Sequence, residues 1–354
     1  MAQRIHRKLR ALLYPLIFTA FFSCQSLHHP GPSEFKIALF PFKNFSEERG
    51  TLMQIMPMVR EELERKGIKV VDETSLNRFL LKKRIRSTAY VMEETAHGIR
   101  EALGAKAILL GSVNAFFSKN NPEVGLSARL VDTSSGSILW ANHASATGDD
   151  FTTLLDLGTI RSVNKLTSIV VNRLLGSFTI SPQKLQKEAI VKVAVMPFKN
   201  RTGKRDAGMI VTYLFIVELF RSEGFDIVEY GGVRRFLVDL RIRHKGELDY
   251  QNIHSLGNAL GVDGILVGTV ERYTEGKGTS APEVAIHARL LDTKRNSVVW
   301  SDEYVLSGDD STIVFDWGKI RSADKVAHKV VSRLVEKMEK AKWHREESKG
   351  QRLD

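Results

Sequence analysis

Apolar and polar residues alternate along the chain in two rhythms, each of which runs twice. From Lys36 to Phe42 the alternation has the two-residue period of a half-buried strand. An Asn-containing turn follows, and from Leu52 to Lys66 the apolar positions recur at helical spacing. Gly67 then predicts a left-handed helix cap. A short strand at Ile68 to Val71, a helix at Leu76 to Lys83 and a second helix at Met92 to Leu103, closed by Gly104, come next. Three strands are predicted after that, Ala107 to Phe117, Val124 to Asp132 and Ile138 to Thr147. Ser134-Ser135-Gly136 joins the last two in a hairpin. A helix opening at Ser162, whose hydroxyl suits an N-cap, completes the unit.

The same order then repeats. Ile37-Ala38-Leu39-Phe40-Pro41-Phe42-Lys43-Asn44 returns as Val193-Ala194-Val195-Met196-Pro197-Phe198-Lys199-Asn200, and Gly67 and Gly104 return as Gly224 and Gly261. Arg129-Leu130-Val131-Asp132-Thr133 returns as Arg289-Leu290-Leu291-Asp292-Thr293, and Trp140 as Trp300. From Pro122 and Pro282 onward, 24 of 54 aligned positions are identical, which identifies a tandem duplication. Early strands separated by helices, then a meander, predict an α/β (α+β) fold in which each copy is a mixed sheet packed by helices. The expected organisation is a leader over 1–23, a tether over 24–34, a first domain over 35–178, a linker over 179–190, a second domain over 191–342 and a polar tail over 343–354.

The leader changes the picture of where the chain works. Arg4, Arg7, Lys8 and Arg10 precede an apolar run from Ala11 to Phe22, which has the form of an export signal and is too short to span a bilayer comfortably. The chain's single cysteine, Cys24, sits directly after it. Phe21-Phe22-Ser23-Cys24 resembles the lipobox of bacterial lipoproteins, with Phe21 and Phe22 replacing the usual leucine and small residue. The resemblance implies cleavage behind Ser23, acylation of Cys24 and, with Gln25 following, sorting to the periplasmic face of the outer membrane. Two or three acyl chains anchor a protein almost permanently. His28 and His29 lie on the tether, a poor place for a metal site.

Over 354 residues, 43% hydrophobic and 26% charged content describes globular domains. The net charge of +11 falls to 48 − 41 = 7 once the leader's four cations are removed, a mild bias that predicts no nucleic-acid partner. The strand-Pro-Phe-x-Asn start, the Leu-Gly element ending at Gly111 and Gly268, and the Asp-Thr hairpin with its Trp resemble the periplasmic α/β domain of CsgG-type secretion lipoproteins and the TolB N-terminal domain. That resemblance covers both halves and implies envelope proteins as partners.

Candidate chemistry is sparse. Asp149, Asp150 and Asp156 are echoed by Asp309, Asp310 and Asp316 and present either helix caps or ligands for a hard cation, which needs six to eight oxygens. Arg161 and Arg321 suit a clamp on Asp132 or Asp149, or a positive face for a partner. Trp140 and Trp300 suit a core, or stacking on peptidoglycan sugars. The mixed charges from Lys337 to Arg352 read as a solvated tail, with weak affinity for anionic lipid as the alternative. His97 faces Asn or His in the second copy, whereas His143, His287 and His328 face Glu303, Ser127 and Ser168, and no catalytic residue, metal site or cofactor is predicted. The expectation is a non-enzymatic, lipid-anchored envelope protein that supports assembly or transport through protein binding, self-association included. The alternative is a lipoprotein that binds peptidoglycan or activates its synthase. The helix of the second copy, with Leu214, Phe215, Ile216, Val217, Leu219 and Phe220, is apolar around most of its circumference and predicts burial against the other copy or a partner.

Overall fold

A computed structural model describes residues 35–119, 121–152, 158–178, 191–222, 224–239, 250–276, 280–310, 319–341 and 343. The leader, Cys24, the tether, the linker over 179–190, Asp156, Asp316 and the tail beyond Trp343 lie outside the described residues.

The first repeat runs β1 (Lys36–Leu39), β2 (Lys43–Asn44), α1 (Thr51–Arg65), β3 (Lys69–Val70), α2 (Glu73–Lys82), α3 (Glu93–Leu103), β4 (Ala107–Phe117), β5 (Glu123–Asp132), β6 (Ile138–Thr147) and α4 (Val163–Gly176). Its sheet has the order β3-β1-β4-β5-β6, with β2 beside β4. β1 is parallel to β3 and β4, and β4 to β6 form an antiparallel meander, so the mixed sheet is present as predicted. The second repeat runs β7 (Val191–Val195), β8 (Lys199–Asn200), α5 (Ala207–Arg221), β9 (Phe225–Ile227), α6 (Tyr230–Asp239), α7 (Tyr250–Leu260), β10 (Gly264–Thr274), β11 (Glu283–Asp292), β12 (Ser297–Ser307) and α8 (Ala323–Lys340). Its sheet order, β12-β11-β10-β7-β9, repeats the first.

The motifs shared by the repeats build this frame. Phe42 and Phe198 lie flat against β4 and β10, where a Cβ at Gly111 or Gly268 would come within 2.4 or 2.2 Å of their rings; only glycine fits beneath them. Asn44 and Asn200 close their turns by accepting from the amides of Ser46 and Thr202, each at 2.9 Å. The Asp132 carboxylate accepts from the amides of Ser134 and Ser135, and Asp292 from those of Lys294 and Arg295, which sets the hairpin. Thr133 and Thr293 donate to the carbonyls of Ala105 and Val262. Gly67, Gly104 and Gly261 adopt positive φ as caps. Gly224 does not: α5 ends in extended backbone at Ser222 instead, which removes the need for a left-handed residue.

α1 and α4 cover one face of the first sheet, over Leu126, Leu130 and Trp140. α2 and α3 cover part of the other face, over Phe40, Ile108 and Leu110. The rest of that second face, on β5 and β6, is covered by the second repeat, whose α5 and α8 lie between the two sheets. This placement explains the composition of α5: every residue from Ile210 to Leu219 is buried, because both sides of the helix meet a sheet or a helix. The predicted burial of α5 against the other copy is the arrangement observed. The described residues of the two repeats accordingly form one compact unit. Trp343, assigned from sequence to the tail, packs its ring over Gly264 and donates its indole N–H to Asp292 at 3.1 Å.

Candidate functional site

The contacts that set the two repeats apart from each other concentrate at the seam between them. At its centre the guanidinium of Arg129, on β5, pairs bidentately with Glu229, just ahead of α6, at 2.6 and 2.8 Å. Both side chains are about 5% exposed. Arg129 also donates to the carbonyl of Ala89 at 2.7 Å and lies 4.7 Å over the ring of Tyr213, whose hydroxyl donates to the same carbonyl. Burial works against the charged guanidinium, but the adjoining Glu229 carboxylate more than offsets it and raises the Arg129 pKa.

A second cluster joins β5 and β6 to the start of α8. His143 Nε2 lies 2.7 Å from Asp324 Oδ2, with both side chains buried. His328 lies against His143 with the rings tilted by 35° and their centroids 4.3 Å apart, and contacts Glu218 of α5 at 2.8 Å. Burial lowers the His328 pKa, and His143 beside it adds to the effect. The Ser322 hydroxyl, which also N-caps α8, donates to Glu123 at 2.6 Å. Burial pushes the Glu123 carboxyl up to about 7, with the neighbouring Asp324 contributing in the same direction.

The Glu123 shift has a sign that can be measured. Its folded pKa lies above its unfolded one, so the folded chain holds the extra proton between about pH 4.5 and 7, and stability from this group is lost as pH rises through 7. Glu123→Gln is expected to leave stability at pH 4 nearly unchanged and to raise it by up to about 3 kcal/mol at pH 8. Denaturant melts at the two pH values read this directly. An equal effect at both would show that folding leaves the Glu123 pKa unshifted.

The doubled acidic element is a set of caps and ties. Asp150 Oδ2 accepts from the amide of Thr147 at 3.0 Å, and Asp310 Oδ2 from that of Ser307 at 2.7 Å. Asp149 accepts from Asn121 at 2.8 Å and lies 3.9 Å from Arg161 and 3.6 Å from Arg321, while Lys319 sits 3.0 Å from Asp309. Both arginines thus lie within ion-pair distance of Asp149, one of the two expected carboxylates, and the closer one comes from the other repeat. Among the described residues no group of three His, Cys, Asp or Glu side chains could hold a metal ion. Trp140 is buried edge-on against Phe178 at 5.0 Å, which removes it as a sugar platform; Trp300 packs, half-buried, at the margin of the second core.

A pocket of about 680 Å³ opens at one end of the seam. Its floor is aromatic, with Tyr90, Tyr213 and Tyr230, and Lys43, Lys199, Arg205 and Arg234 stand around it against the single acidic residue Asp206. Burial raises the Tyr230 hydroxyl to about 12. The two doubled lysines of the Pro-Phe-Lys-Asn motif thus meet in one place. No helix among the described residues is long and apolar enough to cross a membrane.

No protein-family model matches the sequence, and no curated protein does. Solved structures resemble part of the chain. Lipoprotein GNA1162 from Neisseria meningitidis is 22% identical over 41% of this chain and 99% of its own, with a TM-score of 0.31. The PelC dodecamer from Paraburkholderia phytofirmans is 19% identical over 41% of this chain and 85% of its own, with a TM-score of 0.29. TolB from Acinetobacter baumannii is 14% identical over 41% of this chain and 27% of its own, with a TM-score of 0.24.

Proposed function

We propose that the chain is a lipid-anchored cell-envelope protein of the CsgG/TolB-N-like kind, held to the periplasmic face of the outer membrane through Cys24, where it supports assembly or transport by binding other proteins. The observation that carries this reading is the division of labour between doubled and undoubled residues. Those the duplication kept, such as Phe42 and Phe198, Asp132 and Asp292, or Asp150 and Asp310, serve packing, turns and caps. Those it changed lie on surfaces and at the seam, as in α5 and in His143, Asp324 and His328. A chain diversified on its surfaces over a fixed frame is a scaffold for partners.

The seam pocket favours a second reading, peptidoglycan binding. Cell-wall stems carry free carboxylates and the glycan strands carry flat sugar faces, which suit four cations over a tyrosine floor. One experiment addresses both readings. Cys24→Ser is expected to move the chain out of the membrane fraction, and unchanged retention and processing would overturn the anchor. The released chain is then sedimented with purified sacculi. Co-sedimentation abolished by Arg234→Glu supports the second reading, and recovery in the supernatant leaves protein partners alone.

A further inference from the structure

Both halves of three of the polar contacts that join the repeats are present a second time, on opposite faces of the chain. Within the chain, Lys325 at the start of α8 lies 3.1 Å from Asp150 Oδ1. The equivalent residues are Lys165, exposed at the start of α4, and Asp310, exposed after β12, whose other oxygen is used by Ser307 in the same way that Asp150 is used by Thr147. The Ser322 to Glu123 bond has its counterparts in Ser162, exposed, and Glu283. The Arg129 to Glu229 pair has its counterparts in Arg289, exposed on β11, and Asp72, exposed just ahead of α2. In each case one member lies on the β11–β12 side and the other on the side of α4 and α2.

The apolar contacts follow the same rule. Ile138 of β6 is 9% exposed in the core shared by the repeats, whereas its equivalent Val298 is 40% exposed. Met209 of α5 packs against that core, and its equivalent on α1, Met53, is 83% exposed. The face of the second sheet that corresponds to the covered face of the first therefore lies open, with Arg289, Glu303 and Val305 at its surface.

The geometry points to a second copy of this chain as the occupant: the α1–α4 side of one chain docks on the β11–β12 face of the next, repeating the internal seam. This deepens the reading of the chain as a scaffold and rests on it for purpose only, because the contact is read from the seam itself. A head-to-tail contact of this kind closes into a ring or continues as a filament. It is shallower than the seam. Ala285 stands where Gly125 admits Asp324, and Gln54, Pro57 and Glu61 stand where α5 has Ile210, Tyr213 and Val217. Polar, partly exposed pairs make an association that depends on concentration and weakens with salt.

Sedimentation velocity of the full chain in mild detergent tests this over a concentration series at low and high salt. Species larger than one chain are expected at low salt and fewer at high salt. Lys165→Glu and Arg289→Glu lie on opposite faces, and each is expected to weaken association at least about tenfold with its melting curve unchanged. Lys329→Glu, an exposed cation of α8 away from both faces, is expected to behave as wild type. An equimolar mixture of the two damaging variants retains one intact pair of faces and is expected to form two-chain particles that grow no further. A monomer in every wild-type run, a Lys329→Glu variant as impaired as Lys165→Glu, or a mixture that stays monomeric would each overturn the proposal. Membrane retention through Cys24 is independent of all three, so failure here leaves the anchor reading to its own test.

Discussion

Replacing Glu229 with Ala is expected to destabilise the folded chain by about 3–5 kcal/mol, because it leaves the Arg129 guanidinium buried without its partner. That is a large share of the roughly 5–15 kcal/mol by which folded proteins are stable. The remaining neighbours, the Ala89 carbonyl and the Tyr213 ring, satisfy part of the guanidinium's hydrogen-bonding capacity and offset its charge far less than a carboxylate does. Removing both charges has a different outcome. Arg129→Met with Glu229→Leu is expected to lie within about 2 kcal/mol of wild type, since a buried pair draws little net stability once desolvation is counted. Urea melts of the single and double variants measure the difference. A single variant as mild as the double would mean that water reaches Arg129 and that the seam is open.

Gly125→Ala is the second change with a large expected effect. A Cβ at Gly125 would lie 2.2 Å from Asp324 Oδ2, the oxygen that meets His143. Asp324 sits in the first turn of α8, so relief of that clash displaces the helix start or breaks the His143 contact. A cost of about 2–4 kcal/mol is expected, as for overpacking combined with a lost buried hydrogen bond. The reciprocal change at the equivalent site, Ala285→Gly, is expected to cost only about 1–2 kcal/mol, the backbone penalty of glycine in a strand plus the loss of one buried methyl. Equal effects at the two sites would show that the seam does not depend on this close approach.

Much of the frame was legible in the sequence because its determinants are local. The period-two runs gave β4, β5 and β6 to within a residue at their ends, and Gly104 marked the end of α3 through its positive φ. The all-round apolar character of α5 announced a helix between two surfaces. The seam was not legible, since Arg129 and Glu229 are far apart in the chain and nothing local distinguishes Arg129 from its exposed twin Arg289. A signal was nonetheless present. His143, Asp324 and His328 have no counterparts of the same type in the other repeat, and Gly125 is matched by Ala285. In a duplicated chain, identical positions report what both copies need. The mismatches mark where the copies stopped being equivalent.

The burial of α5 between the two sheets also has a consequence for how such a chain arose. Two separate copies of an ancestral module would have had to find each other at cellular dilution, against the loss of translational freedom that association entails. Joining them through the short stretch between Phe178 and Val191 turns that encounter into an intramolecular one, at an effective concentration of the order of millimolar. Under that regime a seam carrying costly buried charges, such as Arg129 and Glu229, is tolerated. The same pair between free chains would meet stronger selection for replacement by apolar side chains. Gene fusion thus relaxes the chemistry permitted at one face of the module.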